Sequence, residues 1–468
     1  MLVMKGLAAG GLAAAAAWVI ASGPAWTAVA RTGAVPAPTP SATGACLPTA
    51  GSGADSGIPA IIATRDDLPG HTEPAIAVSR HDPRDLLGAS EFVTPGQNPR
   101  LVPGAFSSSD GGRTWHDYGP LPLPPGYSHG DDVSAGFAGR AGFVAAEAYP
   151  AAGGSSVFVW RTTDGGRHFS APANVFTAPT GALNTDHPWL AVTSGHGVVV
   201  AWNWGDALMF SRSADEGVTF GAPQRISAPD DLHPNLAVVV PGPQDTISVM
   251  YQAIGSTSPG KGSTGGGPTT KVVTSVDGGL TFGQPYPLPP GTGYTFAAQP
   301  FASSLPTIAA DPVTGTLYVA MSLSLLPGAP RSVVVYRSDD GGRSWSPAVT
   351  AGAQDPRADE FQPSLTVDEA GTVYVSYLSY AAGRVNSVLV ASANRAASFG
   401  APVQLGQPFD PACGLIGVWK VSPWFGDYQG LTSGHGHVYA VWADTGTGRP
   451  EIAFAAVRAR GAQRAGRP

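Results

Sequence analysis

The sequence predicts an all-β protein: a seven-bladed β-propeller, with six blades as the alternative, built of four-stranded antiparallel blades and closed by an N-terminal strand. Three observations lead there. Short apolar strands recur in pairs, each pair broken by a turn with Gly, Pro or Asp, and their alternation and β-branched content favour strands over helices. A second short motif recurs out of step with the first. No long stretch carries helical periodicity. Composition agrees: of 468 residues, 43% are hydrophobic and 13% charged, enough to bury a sizeable core, and 62 Gly with 45 Pro supply many turns.

Residues 1–30 read as a signal peptide. Lys5 is the positive flank, Leu7 to Ile20 is an unbroken apolar and small-residue run, and Ala28-Val29-Ala30 is a cleavage site of the A-x-A kind. A membrane span takes about 20 residues, and this run is shorter. The protein is therefore expected to be secreted, with an uncleaved N-terminal anchor as the alternative. Residues 31–57, rich in Ala, Pro, Thr, Ser and Gly, read as a linker. The propeller is expected over 58–458, followed by a short basic tail over 459–468. Removing 1–30 takes away Lys5 and no acid, which leaves 25 basic against 33 acidic side chains and a net charge of −8. That balance argues against a nucleic-acid partner.

The paired strands begin at Glu73, Asp131, Asp186, His233, Leu305, Gln362 and Asp427, as in "DHPWLAVTSGHGVVVAWNW" and "LPTIAADPVTGTLYVAMSL". From Glu73 to Tyr428 is 355 residues over six steps, near 59 per step. A fixed period of that size marks a repeat fold, and four strands per unit give propeller blades.

The second motif stands in "SSSDGGRTW", "TTDGGRHF", "SADEGVTF", "SVDGGLTF" and "SDDGGRSW", around Asp110, Asp164, Asp215, Asp277 and Asp340. A sixth copy, "SANRAASF", has Asn394 in place of the aspartate, and successive copies are 54, 51, 62, 63 and 54 residues apart. Each falls between the third and fourth strands of a unit. Aspartate can accept backbone N–H groups in a tight turn, glycine supplies φ > 0, and the closing Trp or Phe can pack beneath.

The pattern S-x-D-x-G-x-T-W/F is the Asp-box, or bacterial neuraminidase (BNR) repeat. Over nearly all of Ile58 to Val457 the chain resembles the sialidase superfamily. The resemblance implies that the Asp-boxes are structural and peripheral, and that a substrate face lies where the inner strands begin. The seventh unit ends near Val457 without an Asp-box or a fourth strand. "PAIIATRDD", from Pro59 to Asp67, is expected to supply that strand and close the ring, covering two open edges. Closure would bring the N-terminal segment near blade seven and pair Cys46 with Cys413 in a disulfide. No C-x-x-C pattern points to zinc.

At the strand starts, Glu73, Asp132, Asp186, Asp427 and Tyr428 are the candidate catalytic groups. His187, Trp189, Trp202, Trp204, His233, Tyr251 and Glu360 are candidate ligand-binding groups around the channel mouth. Acids with aromatics suit sugars, through hydroxyl hydrogen bonds and ring stacking. In the sialidase family three arginines grip the substrate carboxylate, and one precedes an Ile-Pro pair in the first inner strand. Here that place reads "TEPAIA", with Glu73, and Arg100, Arg140 and Arg384 fall in loops or turns. The family's nucleophilic tyrosine is matched by Tyr428 in "DYQGL". A glutamate cannot replace an arginine fork. The sequence thus points to a sialidase-like propeller that binds a carbohydrate or other extracellular ligand without exo-sialidase activity. The alternative is a glycoside hydrolase using Tyr428 or a pair of these carboxylates. No cofactor is expected, although Ca²⁺ among the acids is an option. A monomer with no stable membrane span is expected.

Overall fold

The computed structural model describes residues 57–459 apart from 97, 183, 254, 257–268, 290–302, 326–328, 353–354 and 416–422, and of 255–256 the backbone alone. Seven four-stranded antiparallel sheets succeed one another along the chain. From inner to outer edge, blade 1 is His71–Val78, Leu86–Val93, Leu101–Ser108 and His116–Pro120. Blade 2 is Tyr127–Ala138, Ala141–Pro150, Ser156–Thr162 and Ala173–Thr177. Blade 3 is Thr185–Val192, Val198–Trp204, Ala207–Ser213 and Gln224–Arg225. Blade 4 is Asn235–Pro241, Ile247–Ala253, Thr269–Ser275 and Tyr286–Pro287. Blade 5 is Thr307–Ala310, Leu317–Leu323, Ser332–Ser338 and Val349–Thr350. Blade 6 is Asp359–Val367, Val373–Ala381, Arg384–Ser392 and Val403–Phe409. Blade 7 is Gly430–Gly434, His437–Asp444 and Glu451–Arg458, with Ile61–Ile62 as its outer strand.

The ring closes as the sequence predicts. Ile61 pairs with Phe454 and Ile62 with Ala453, so the N-terminal segment completes the C-terminal blade. Ile58 makes a further bridge to Leu405 on the outer strand of blade 6. The middle strands are apolar on both sides because both faces of each sheet meet a neighbour. Phe143, Val159, Trp202 and Met209 fill one such seam, between blades 2 and 3. Phe210, Val249 and Tyr251 fill the next. Each large side chain so buried contributes roughly 2–3 kcal/mol.

The Asp-boxes are turns between the third and outer strands. In blade 1, Asp110 Oδ1 accepts the Ser108 hydroxyl at 2.8 Å and the Thr114 amide at 2.9 Å, and Oδ2 accepts the Thr114 hydroxyl at 2.7 Å. Ser108 Oγ in turn accepts the Gly112 amide at 2.9 Å. The same bonds recur around Asp164, Asp215, Asp277 and Asp340. Gly112 has φ +84, and a Cβ there would lie 2.3 Å from the Phe454 ring of blade 7. Trp115 packs beneath, between Phe106 and Phe454. Each box therefore ties its own turn and fits it to the preceding blade of the ring. Cys413 lies in the Pro411–Cys413 turn and is disulfide-bonded; Cys46, the other cysteine of the chain, lies outside the described residues.

Candidate functional site

Five inner strands carry the same irregularity. The register slips by a two-residue bulge between Thr72 and Ala75, Asp131 and Ser134, Asp186 and Trp189, Asn235 and Val238, and Phe361 and Ser364. The first bulge residue is always in the left-handed region: Glu73 (φ 53), Asp132 (φ 49), His187 (φ 53), Leu236 (φ 60) and Gln362 (φ 48). Non-glycine residues enter that region at a cost, and bulges re-aim side chains. Repeated blade after blade, the device turns one residue per inner strand toward a common space at one end of the channel. The Asp-boxes lie at the other end, since the inner, middle and third strands alternate in direction.

The space in front of blades 1, 2, 3 and 7 is acidic. Glu73 accepts the Asp427 amide at 3.0 Å, and Asp132 accepts the His187 amide at 3.1 Å. Two further acids come from the middle strands. Glu91 accepts the Asp132 amide at 3.0 Å and the Thr72 hydroxyl at 2.9 Å. Glu147 accepts the Tyr149 hydroxyl at 2.6 Å and the Thr185 hydroxyl at 2.8 Å. Asp427 accepts from the Ser303 amide at 3.1 Å and from Trp424 Nε1 at 3.0 Å. Asp186 accepts from Asn203 at 3.2 Å. Glu73, Glu91 and Glu147 are buried; Asp131, Asp132, Asp186 and Asp427 are partly exposed.

These carboxyls hold their protons tightly. Burial, then the neighbouring acids Glu91, Asp427 and Asp132, push Glu73 well above the usual carboxylate range. Burial and the charges of Asp131 and Asp132 do the same to Glu91, and burial with Asp131 and Asp186 to Glu147. Burial brings Asp131 up to about 6, burial with Asp131 brings Asp132 up to about 7, and burial with Asp132 brings Asp186 up to about 7. No lysine or arginine is among the groups acting most strongly on these acids. Two sets bring three ligand oxygens within 4.8 Å of one another, Glu73 with Glu91 and Asp132, and Asp131 with Asp132 and Glu147. Either has the spacing that a metal ion needs.

Tyr428 and two aromatic rings complete the mouth. The Tyr428 hydroxyl accepts the Val133 amide at 2.9 Å and donates to the Val133 carbonyl at 3.1 Å. Burial, then Glu73 and Asp132, raise its proton affinity well above that of an ordinary phenol. It therefore acts as a backbone clamp between blades 7 and 2. His187 stacks on Trp189 at 5.6 Å and meets Tyr428 edge-on at 5.8 Å.

Other residues expected at the mouth lie elsewhere. Trp202 is fully buried between blades 2 and 3, because the middle strand turns it into the seam. Trp204, one turn of the pleat further on, packs on Phe176. Tyr251 is buried between blades 3 and 4 and donates to Asp231 at 2.6 Å. Glu360 points between blades 5 and 6, where it accepts the Val333 amide at 2.9 Å; a Cβ on Gly352 would overlap its carboxylate. His233 is exposed and pairs with Asp206 at 3.0 Å. The blade 4 bulge falls three residues later, so Leu236 takes the place that His233-Pro234 suggested. Glu91, Glu147 and Tyr149 are the groups that sequence reasoning missed. Their signal was a glutamate inside an apolar middle strand, in "LLGASEFV" and "AGFVAAEAYP". Arg100 bonds His129 at 3.1 Å.

No family model and no curated protein matches the chain. Among solved structures it is similar to a protein of unknown function from Dyadobacter fermentans, at 12% identity and a TM-score of 0.49, over 86% of this chain and 99% of that one. It is also similar to an α-L-arabinanase from Penicillium chrysogenum, at 13% identity and a TM-score of 0.47, over 86% and 98%. A NanB sialidase from Streptococcus pneumoniae is similar at 11% identity and a TM-score of 0.49, over 69% and 67%. Nothing about activity is drawn from these likenesses. No helix among the described residues is long and apolar enough to cross a membrane.

Proposed function

We propose that this is an exported, sialidase-like propeller that binds a carbohydrate at the acidic end of its channel, without exo-sialidase activity. The observation that carries the reading is the gathering of carboxyl groups at that face. Where a sialidase-type clamp needs an arginine, Glu73 stands, with Asp132, Asp186 and Asp427 nearby, and a carboxyl cannot grip a substrate carboxylate as a guanidinium fork does. Sugar hydroxyls, in contrast, can bond to the partly exposed Asp132, Asp186 and Asp427 carboxyls, while Trp189 offers a ring for stacking. Tyr428 fits poorly as a nucleophile, since both its donor and its acceptor capacity go to Val133.

The test is a glycan array run beside a panel of fluorogenic glycosides that includes a sialoside. Binding to neutral or basic glycans, lost on Trp189→Ala and without turnover, is the expected result. Hydrolysis of the sialoside that disappears in Tyr428→Phe would overturn it, and hydrolysis of another glycoside would make the protein an enzyme.

A further inference from the structure

Glu73, Glu91 and Asp132 each offer an oxygen within 4.8 Å of the other two. Glu73 is 4% exposed and Glu91 1%. The amides of Asp427, Asp132 and His187 and the Thr72 hydroxyl donate to them. Such donors fix the carboxylates in place and bring no net positive charge. Buried carboxylates persist only with a proton or with a cation beside them.

A second observation lies outside the acidic set. His187 is 4% exposed, and its Nδ1 lies 3.0 Å from the Ala237 carbonyl. A carbonyl only accepts, so the ring proton sits on Nδ1. Nε2 then carries a bare lone pair, and it is buried with no hydrogen-bond partner. His187 occupies the same bulge position as Glu73 and Asp132. The His187 amide donates to Asp132 at 3.1 Å, which sets the two bulges side by side. A buried acceptor beside buried acids calls for a donor that also carries positive charge.

We propose that Glu73, Glu91 and Asp132 hold a hard divalent cation of the Ca²⁺ class, and that a water on that cation donates to His187 Nε2. The all-oxygen set selects a hard cation over zinc or copper. Oxygens sharing one Ca²⁺ at roughly 2.4 Å can be at most about 5 Å apart, which matches the spacing found. A cation-bound water is more acidic than bulk water and is therefore a strong donor. The site stands whether or not a glycan binds the same face.

The experiment uses the full chain, stripped with a chelator and titrated with CaCl₂, with metal content by elemental analysis, affinity by calorimetry and stability by thermal melting. One ion per chain with a dissociation constant of about 10⁻⁴ M or tighter is expected, with a rise in Tm. Glu91→Gln and Asp132→Asn should each weaken binding by about tenfold or more. In chelator both should melt no lower than the parent, which separates loss of a ligand from loss of structure. His187→Phe should keep the stoichiometry with affinity down several-fold. Absence of bound Ca²⁺, Mg²⁺ or Mn²⁺ at millimolar concentration overturns the proposal, as does undiminished binding in both carboxamide variants. If neither variant folds, the parent's stoichiometry alone decides.

Discussion

Two sets of aspartates in this molecule live under opposite proton regimes. Those of the Asp-boxes sit at turns on the outer edge and are held down to about 2. Burial is the largest single influence on Asp110 and pushes it up, but the Thr114 hydroxyl and amide and the Ser108 hydroxyl together outweigh it. Those of the channel are pushed up to about 6 or 7 by burial and by one another. Residue type is the same in both places. What differs is whether the carboxylate faces donors or other carboxylates. Glu451 has other neighbours. It is as buried as Glu73, yet it faces His71 at 2.9 Å and Arg449 at 2.7 Å. Its partners are basic where those of the channel acids are acidic.

The sharpest test of that contrast removes the counter-charge from Glu451. His71 is fully buried, with Nε2 3.2 Å from Asp66 and Nδ1 2.9 Å from Glu451, the latter an ion-pair contact rather than a well-aligned hydrogen bond. Asp66 precedes the first inner strand and Glu451 opens the last strand of blade 7, so His71 links the two chain ends at the closing seam. His71→Leu takes one partner from each of two carboxylates, Arg449 staying on Glu451, and should destabilise by about 2–3 kcal/mol, read as a loss of Tm. Burial alone would lower the His71 proton affinity, but Asp66 and Glu451 raise it above the usual 6.5. Its contribution is therefore full below the unfolded value and lost as pH rises through the raised folded one. Asp66, Glu451, Arg449 and Asp117 are the charged groups around it. Melts of the parent between pH 6 and 9 should show a fall that is absent in His71→Leu; a pH-independent difference would refute the latch.

In the channel the same kind of neutralising change should have the opposite sign. Glu73→Gln keeps an oxygen that accepts the Asp427 amide and sets a permanent donor beside Glu91, where Glu73 needs a proton to be one. In chelator it should raise stability by about 1 kcal/mol. A loss of similar size would mean that the channel acids are already compensated.

The sequence revealed these regions unevenly, for physical reasons. The Asp-box is local: the hydrogen bonds that define it all lie within five residues, so it is visible as a string. The closing strand was legible because blade 7 lacked a fourth strand and "PAIIATRDD" lacked a partner. Glu73, Asp132, Asp186, His187 and Asp427 were legible because they stand at strand starts. Glu91 and Glu147 were not, because their acidic neighbours come from other strands and other blades. His233 misled because two candidate positions lie three residues apart in "HPNLAVVV", and only register chooses Leu236. Trp202 and Tyr251 misled because a fully apolar middle strand hides which face meets the seam.

At the rim, Asp110→Ala removes the acceptor of three bonds to Ser108 and Thr114. Water replaces part of them, so a loss of about 1 kcal/mol is expected, with no change in ligand binding or metal content. A change in either would move the Asp-box from clasp to site.

The smallest effect is the most specific. In blade 6 the box already works with Asn394, whose Oδ1 accepts the Ser392 hydroxyl at 2.8 Å and the Ser398 amide at 3.1 Å, while Nδ2 donates to Ser398 at 2.9 Å. An amide thus reproduces the geometry and lacks only the charge. Asn394→Asp should restore it and add about 0.5 kcal/mol at pH 7. The new carboxylate would be held below its unfolded value, like its five counterparts. Its gain is then present above pH 4 or so and vanishes as pH falls through the lowered folded value. Paired melts of parent and variant at pH 7 and pH 2 read this directly. An equal gain at both would show that the bonds are governed by shape, and that charge separates rim from channel less than the five lowered aspartates indicate.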